Sequence, residues 1–288
     1  MTERPPRPPR ADSREIAELK EIRDRHPELA SAVDMQIELV EMQRRVQSRV
    51  PLPWIQHDGS WLDSQRQAAR PAVRFGDIPL EWSDLRLALR HAADILHRYE
   101  AIDQADYDRI VAISREGDSL APLVTGWYNA TSRVHGGNPG ERLPGDVPAC
   151  IDQVLVLALR PFLARCAEAL LPRPEFALWR HAHCPVCGWE PDFAVITPAG
   201  ERKLICGRCL AQWAFDPLAC PFCGNDERAR ITSFASRDGR YRVAACEQCK
   251  RYLKAYDARN APRPVLVAVD SIATLPLDAA AIQRGYLG

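Results

Sequence analysis

The chain lacks a long hydrophobic run. Its longest apolar stretch, VLVLAL from Val154 to Leu159, is a fraction of the ~20 residues that a membrane-spanning helix requires. The opening residues, MTERPPRPPRADSRE, contain neither the apolar centre of a secretion signal nor a twin-arginine export pattern, so a cytoplasmic protein with no membrane insertion is expected. Net charge is also lacking: 38 lysines and arginines balance 38 acidic residues, which argues against a general affinity for nucleic acid or anionic membrane. No Ser-His-Asp order, P-loop or glycine-rich dinucleotide motif occurs, so no enzyme activity is expected. The scattered cysteines of a secreted disulfide framework are missing too. Of ten cysteines, eight form four C-x-x-C pairs between Cys184 and Cys249. The other two, Cys150 and Cys166, lie in an apolar helical stretch and read as helix-face residues.

What is present is a dense set of metal-ligand knuckles. The spacing is C-x2-C-x18-C-x2-C for Cys184, Cys187, Cys206 and Cys209, then C-x2-C-x22-C-x2-C for Cys220, Cys223, Cys246 and Cys249. A C-x-x-C turn presents two thiolates, and two such turns complete a tetrahedron. FAVIT and RKLIC flank a Pro198-Ala199-Gly200 turn, and RITSF and YRVAAC flank a turn with Asp238-Gly239. Each predicted hairpin therefore lies between two knuckles and brings its ends together, which favours sequential pairing over a cross-braced arrangement. Gly188, Gly207 and Gly224 stand where a left-handed backbone is often needed. Four thiolates suit zinc and rubredoxin-type iron equally, so two metal ions of either kind are expected. A closed four-sulfur site leaves no position for substrate. His181 and His183, beside the first knuckle, could replace a cysteine as ligands, but are expected to be solvated linker residues. From Cys184 to Arg259 there are 12 lysines and arginines against 9 acidic residues. Two loaded tetrathiolate sites would bring that segment to about −1, so the arginines compensate thiolate charge.

At 288 residues the chain can support two domains with real cores. Residues 1–11, rich in proline and arginine, are expected to form a disordered tail. Asp12 and Ser13 are candidate helix caps. Pro27 is placed to begin a long helix with Leu29, Val33, Ile37 and Val40 on one face, and Trp82, Leu85, Leu89, Ala92, Leu96 and Tyr99 mark a second. Further helices are predicted over 104–114, 117–130 and 149–171, the last kinked or split at Pro161. Loops are predicted at 51–60, 71–79 and 136–148. The expected organisation is α+β: a helical domain over 12–180, metal ribbons over 181–215 and 216–260, and a C-terminal strand (PVLVAV, 264–269) and helix over 261–288.

The residues CPVCG at Cys184, LICGRCLAQW at Leu204, CPFCG at Cys220, CEQCKRYLKAYD at Cys246 and VAVDSIATLPLDAAAIQRGY at Val267 resemble, in that order, the formate dehydrogenase accessory protein FdhE family. ISREGDSLAPL around Arg115 adds a looser match in the helical half. Gln212, where the family usually has an acidic residue, and FDPLAC before the third knuckle depart from the pattern but spare every ligand. The resemblance implies a cytoplasmic, non-enzymatic assembly factor with rubredoxin-like sites, associated with iron. It would bind the large, molybdenum-containing subunit of a respiratory formate dehydrogenase. Trp189, Trp213, Arg251 and Tyr252 are candidate docking residues, with packing over a knuckle as their alternative role. Two other classes stay open: a nucleic-acid-binding tandem zinc ribbon, disfavoured by the charge count, and a thiol oxidoreductase, which would need one C-x-x-C at the start of a helix rather than four around hairpins.

Overall fold

The computed structural model describes residues 11–131 and 148–287. The expected tail, apart from Ala11, and the loop at 136–148, apart from Pro148, lie outside them. A helical half, α1 (Ala11–Arg25), α2 (Ala30–Gln47), α3 (Gly59–Gln67), α4 (Trp82–Arg98), α5 (Gln104–Arg115), α6 (Gly117–Thr131) and α7 (Ala149–Leu170), precedes a six-stranded sheet and two closing helices. α1 already runs through Asp12 and Ser13, the expected caps. Pro27 starts a short 3-10 turn, Pro27–Leu29, that separates α1 from α2. α3 replaces part of a predicted loop. Its start is held by Asp58, whose carboxylate accepts from the Trp61 backbone N–H at 2.7 Å, and it buries only Leu62, so it carries no periodic apolar face to read.

Of the two outcomes expected at Pro161, a kink or a split, the split does not occur: α7 runs through it as one helix. Proline removes the donor that would satisfy the carbonyl four residues earlier. That carbonyl, Leu157 O, accepts instead from Gln43 Nε2 of α2 at 3.1 Å. Packing on nearly every side, with Leu155, Leu159, Phe162 and Leu163 at most 1% exposed, holds the helix continuous.

The strands are β1 (Pro191–Ile196), β2 (Arg202–Cys206), β3 (Gln212–Ala214), β4 (Ile231–Ala235), β5 (Tyr241–Cys246) and β6 (Tyr252–Asp257), in the order β3-β2-β1-β6-β5-β4. Both predicted hairpins form, β1/β2 and β4/β5. Each gains a third strand after its second knuckle. The parallel pairing of β1 with β6, Phe193 opposite Lys254 through Ile196 opposite Asp257, fuses the two ribbons into one sheet. The second ribbon thus repeats the first by a sideways step, third strand against first.

PVLVAV forms no strand. The chain turns there into α8 (Val267–Ala273), followed by α9 (Leu275–Gln283). A short apolar run cannot be assigned by periodicity alone, and here Val269 and Ile272 need a helical spacing to pack on Leu19 of α1 and Val33 of α2. α9 covers the opposite end of the same sheet face against Ala245 and Tyr252. The tail therefore packs back across the junction of sheet and helices. The main core is also continuous across that junction: Cys184, Cys187, Cys206 and Cys209 share it with α4 and α7, and Ala72 and Val73 donate to the backbone of Pro185 and Val186, each at 2.9 Å.

Candidate metal centres

All four knuckles are built by one turn. The first cysteine's N–H donates to the carbonyl five residues on, Trp189, Ala211, Asn225 and Arg251 in turn, and its own carbonyl accepts from the residue four on. That fourth residue is left-handed in every case: Gly188 (φ 76°), Leu210 (φ 60°), Gly224 (φ 74°) and Lys250 (φ 57°). Glycine relieves this conformation in two knuckles, as expected. In the other two a leucine and a lysine occupy it, and their spacing alone marks them. Gly207 has a different purpose from the one expected. A Cβ there would lie 3.0 Å from the Asp192 Cβ, so it permits close approach, not a left-handed turn.

The turns gather the cysteines into two quartets, Cys184, Cys187, Cys206 and Cys209, and Cys220, Cys223, Cys246 and Cys249, with all sulfurs of a quartet within 4.8 Å of one another. Four sulfurs about 2.3 Å from a common metal would stand ~3.8 Å apart. The nearest pairs are 3.4–3.6 Å apart in the first quartet and 3.7 Å in the second. The donor set therefore fits, and each quartet could hold one metal ion. Backbone N–H groups of Val186 and Arg208 point at the sulfurs of Cys184 and Cys206, each at 3.4 Å. Burial pushes the Cys220 thiol up to about 11 and the Cys184 and Cys209 thiols well above their ordinary range. Metal loading must displace those protons, so retention weakens as pH falls.

The two centres differ in cover and in charge. The first is sealed, its four cysteines at most 1% exposed. Arg208, fully buried inside the second knuckle, lies between Trp127 of α6, 3.9 Å from its guanidinium, and Trp189, 3.6 Å away. Arg160 of α7 donates to Gly207 O at 2.6 Å. Burial lowers the proton affinity of both guanidiniums, and the Cys206 sulfur opposes that shift. These cations offset the −2 charge of a tetrathiolate site holding a divalent ion. The second centre is open at Cys223 and Cys249, both partly exposed. Its neighbouring Arg251 is committed elsewhere, bidentate to Glu190 at 2.9 and 2.8 Å and stacked 3.7 Å over Phe222. Replacing Arg208 with methionine should lower metal affinity of the first centre about tenfold or more, the scale of a lost outer-sphere partner, and leave the second unchanged; competition with a chromogenic chelator reads both.

No family model matches the chain. Proteins named FdhE homolog from Shewanella baltica (strain OS185) and Aquifex aeolicus are each 30% identical to it, over 145 and 138 residues, covering 49% and 46% of this chain and 48% of each relative. A third FdhE homolog, from Shewanella sp. (strain MR-4), is 27% identical over 191 residues, 65% of this chain and 60% of that protein. The chain spans about half the length of the first two relatives it matches. In fold it is similar to the crystal structure of the FdhE protein from Pseudomonas aeruginosa, with a TM-score of 0.64 and 20% identity over 96% of this chain and 92% of that one. In sequence the chain is similar to the FdhE homologs, and in fold to the FdhE crystal structure.

The four residues expected to dock a partner are engaged inside this chain. Trp213 and Tyr252, read as docking residues or as packing over a knuckle, are buried at 3% and 8% exposure. The Trp213 indole donates to His181 O at 2.9 Å, and the Tyr252 hydroxyl donates to Asp278 at 2.7 Å. Trp189 forms one wall of the Arg208 sandwich, and Arg251 bridges to Glu190. His183 is buried and His181 half-buried, so neither is a free linker side chain. Their rings bond to Arg66 O at 2.8 Å and Ala69 O at 3.0 Å, fastening the first knuckle to the segment after α3. Cys166 is fully buried in α7, where burial pushes its thiol up to about 12, while Cys150 is partly exposed. Among the described residues no helix is long and apolar enough to cross a membrane.

Proposed function

We propose that this chain is a maturation factor for a respiratory formate dehydrogenase, acting in the cytoplasm by binding the catalytic, molybdenum-containing subunit and not by turnover. The observation that carries the reading is the pair of tetrathiolate centres, each closed by four sulfurs, in a chain similar in sequence to FdhE homologs. Cys184, Cys187, Cys206 and Cys209 hold one ion, and Cys220, Cys223, Cys246 and Cys249 the other, each iron or zinc. A bound ion supplies a cross-link between two knuckles, and iron would add a one-electron couple. With every coordination position taken by sulfur, substrate has no place at either metal.

Deleting the gene should abolish formate dehydrogenase activity while the catalytic subunit is still synthesised. The restored chain should return the activity and recover the subunit by affinity capture under anaerobic conditions. Normal formate oxidation in the deletion strain would overturn the reading. Elemental analysis of anaerobically purified protein, expected to give about two metal ions per chain, decides between iron and zinc.

A further inference from the structure

The two edges of the sheet are unlike. At one edge β3 is three residues long and its central Trp213 is buried. At the other, β4 reads ITSFA, five residues with no charge and no proline. Its register against β5 runs from Ile231 opposite Cys246 to Ala235 opposite Arg242 with no bulge. Proteins ordinarily blunt an edge strand with charge, proline, a bulge or a covering segment. Among the described residues β4 has a strand neighbour on one side only, so its outer row of backbone donors and acceptors is available for pairing.

Just inside this edge the sheet face turned away from α8 and α9 is hollow. Ala194, Ala255 and Arg242 stand in one cross-strand row, with Ser233 and Ala244 in the next. Alanine side chains do not rise off a sheet, whereas Leu218, 53% exposed, stands at the rim. The groove so formed has a volume of about 240 Å³, below the ~300–1,000 Å³ of pockets that enclose a small-molecule ligand. It has the dimensions of an anchor for peptide side chains.

The charge around the edge is mixed, with acidic Glu227, Asp238 and Glu247 and a surplus of arginine. From Arg228 to Arg242 there are five arginines and one aspartate. Arg230, Arg240 and Arg242 pair with Glu227, Asp238 and Asp257. Arg228, in the groove lining, and Arg237, in the turn beyond Ala235, have no ion-pair partner among the described residues. Two unpaired cations therefore bracket an unprotected strand. They attract an extended anionic chain and repel a second copy of this one.

We propose that β4 is a docking edge for a protein partner. An extended segment with an apolar centre and acidic flanks adds to β4 as a further strand, seats an apolar side chain in the groove, and sets its carboxylates against Arg228 and Arg237. The site stands on the geometry, and only the identity of its natural occupant rests on the maturation reading.

The test uses the full chain and a labelled eight-residue peptide with two glutamates at each end and a Thr-Val-Thr-Val centre. Fluorescence anisotropy should show binding that weakens about tenfold or more when the glutamates become lysines, or when the valines become prolines that cannot complete the ladder. Amide hydrogen exchange should slow at residues 231–235 on binding. Both mutated arginines are on the surface, so R228E/R237E should fold normally, lose the acidic peptide by a similar factor and accept the lysine-ended one. Absence of binding, indifference to charge, protection elsewhere, or self-association through 231–235 would each overturn the proposal. In the deletion strain, failure of the wild-type chain would refute the maturation reading and leave the peptide result to decide the site. Full restoration by R228E/R237E would show that this edge is not where the formate dehydrogenase subunit docks.

Discussion

A strong chelator should strip the metal-loaded protein in two steps, one equivalent quickly and one slowly. The second centre exposes Cys223 and Cys249, and its knuckles belong to the β4–β6 end of the sheet, where a local opening suffices to admit a ligand. The first is enclosed by residues of α4, α7 and the 176–179 turn in the main core, so reaching its sulfurs requires separating sheet from helices. Each additional 1.4 kcal/mol of opening free energy slows release tenfold, and the two phases should differ by at least about that factor. Cys223→Ser should remove the fast phase and leave the far-ultraviolet helical signal intact. Cys206→Ser should remove the slow phase and lower the melting temperature of the whole chain, because its sulfur lies in the core the helices share. Release of both ions in a single phase, unaltered in kind by either substitution, would show that the centres are equivalent and that burial does not control them.

Asp270→Ala should be the most destabilising substitution outside the cysteines. Asp270 is fully buried and accepts from Arg263 at 3.1 and 2.7 Å, from the Tyr241 hydroxyl at 2.8 Å and from the Leu266 N–H at 2.7 Å. Arg263, 4% exposed as a side chain, also reaches Glu18 of α1 at 3.0 Å. One carboxylate thus joins β5, the start of α8 and, through Arg263, the first helix. Its removal leaves a guanidinium buried with Glu18 as its remaining carboxylate, a loss of about 3–5 kcal/mol. For a chain of this size that is on the order of 10 °C in melting temperature. Asp270→Leu combined with Arg263→Met should recover part of the loss, since an apolar pair carries no desolvation penalty. A melting temperature for Asp270→Ala within about one degree of wild type would mean that the network does not hold the tail in place.

Tyr241 shows the same network from the other side. Burial and the Asp270 carboxylate together push its phenol well above the ordinary range, which keeps it a donor at any working pH.

Much of what is local in this protein could be read from its residues. The four C-x-x-C knuckles, their grouping in sequence order, the two hairpins and most of the helices follow from spacing, turn residues and apolar periodicity, all of which act over a few neighbours. What escaped was decided at a distance. Pro161 marks a kink or a split in α7, and the split is averted where a glutamine from another helix satisfies the carbonyl the proline leaves free. PVLVAV is apolar enough for a strand and becomes a loop and helix because two helices from the other end of the chain offer it a surface. Trp213 and Tyr252 look like docking residues, but Trp213 packs into the main core shared with the helical half, and α9 covers Tyr252, whose hydroxyl bonds to Asp278. The inequality of the two metal centres is likewise invisible in two nearly identical spacings. It arises because one knuckle pair faces α7 and the other faces solvent, and exposure is a property of the packed chain that no short stretch of it possesses.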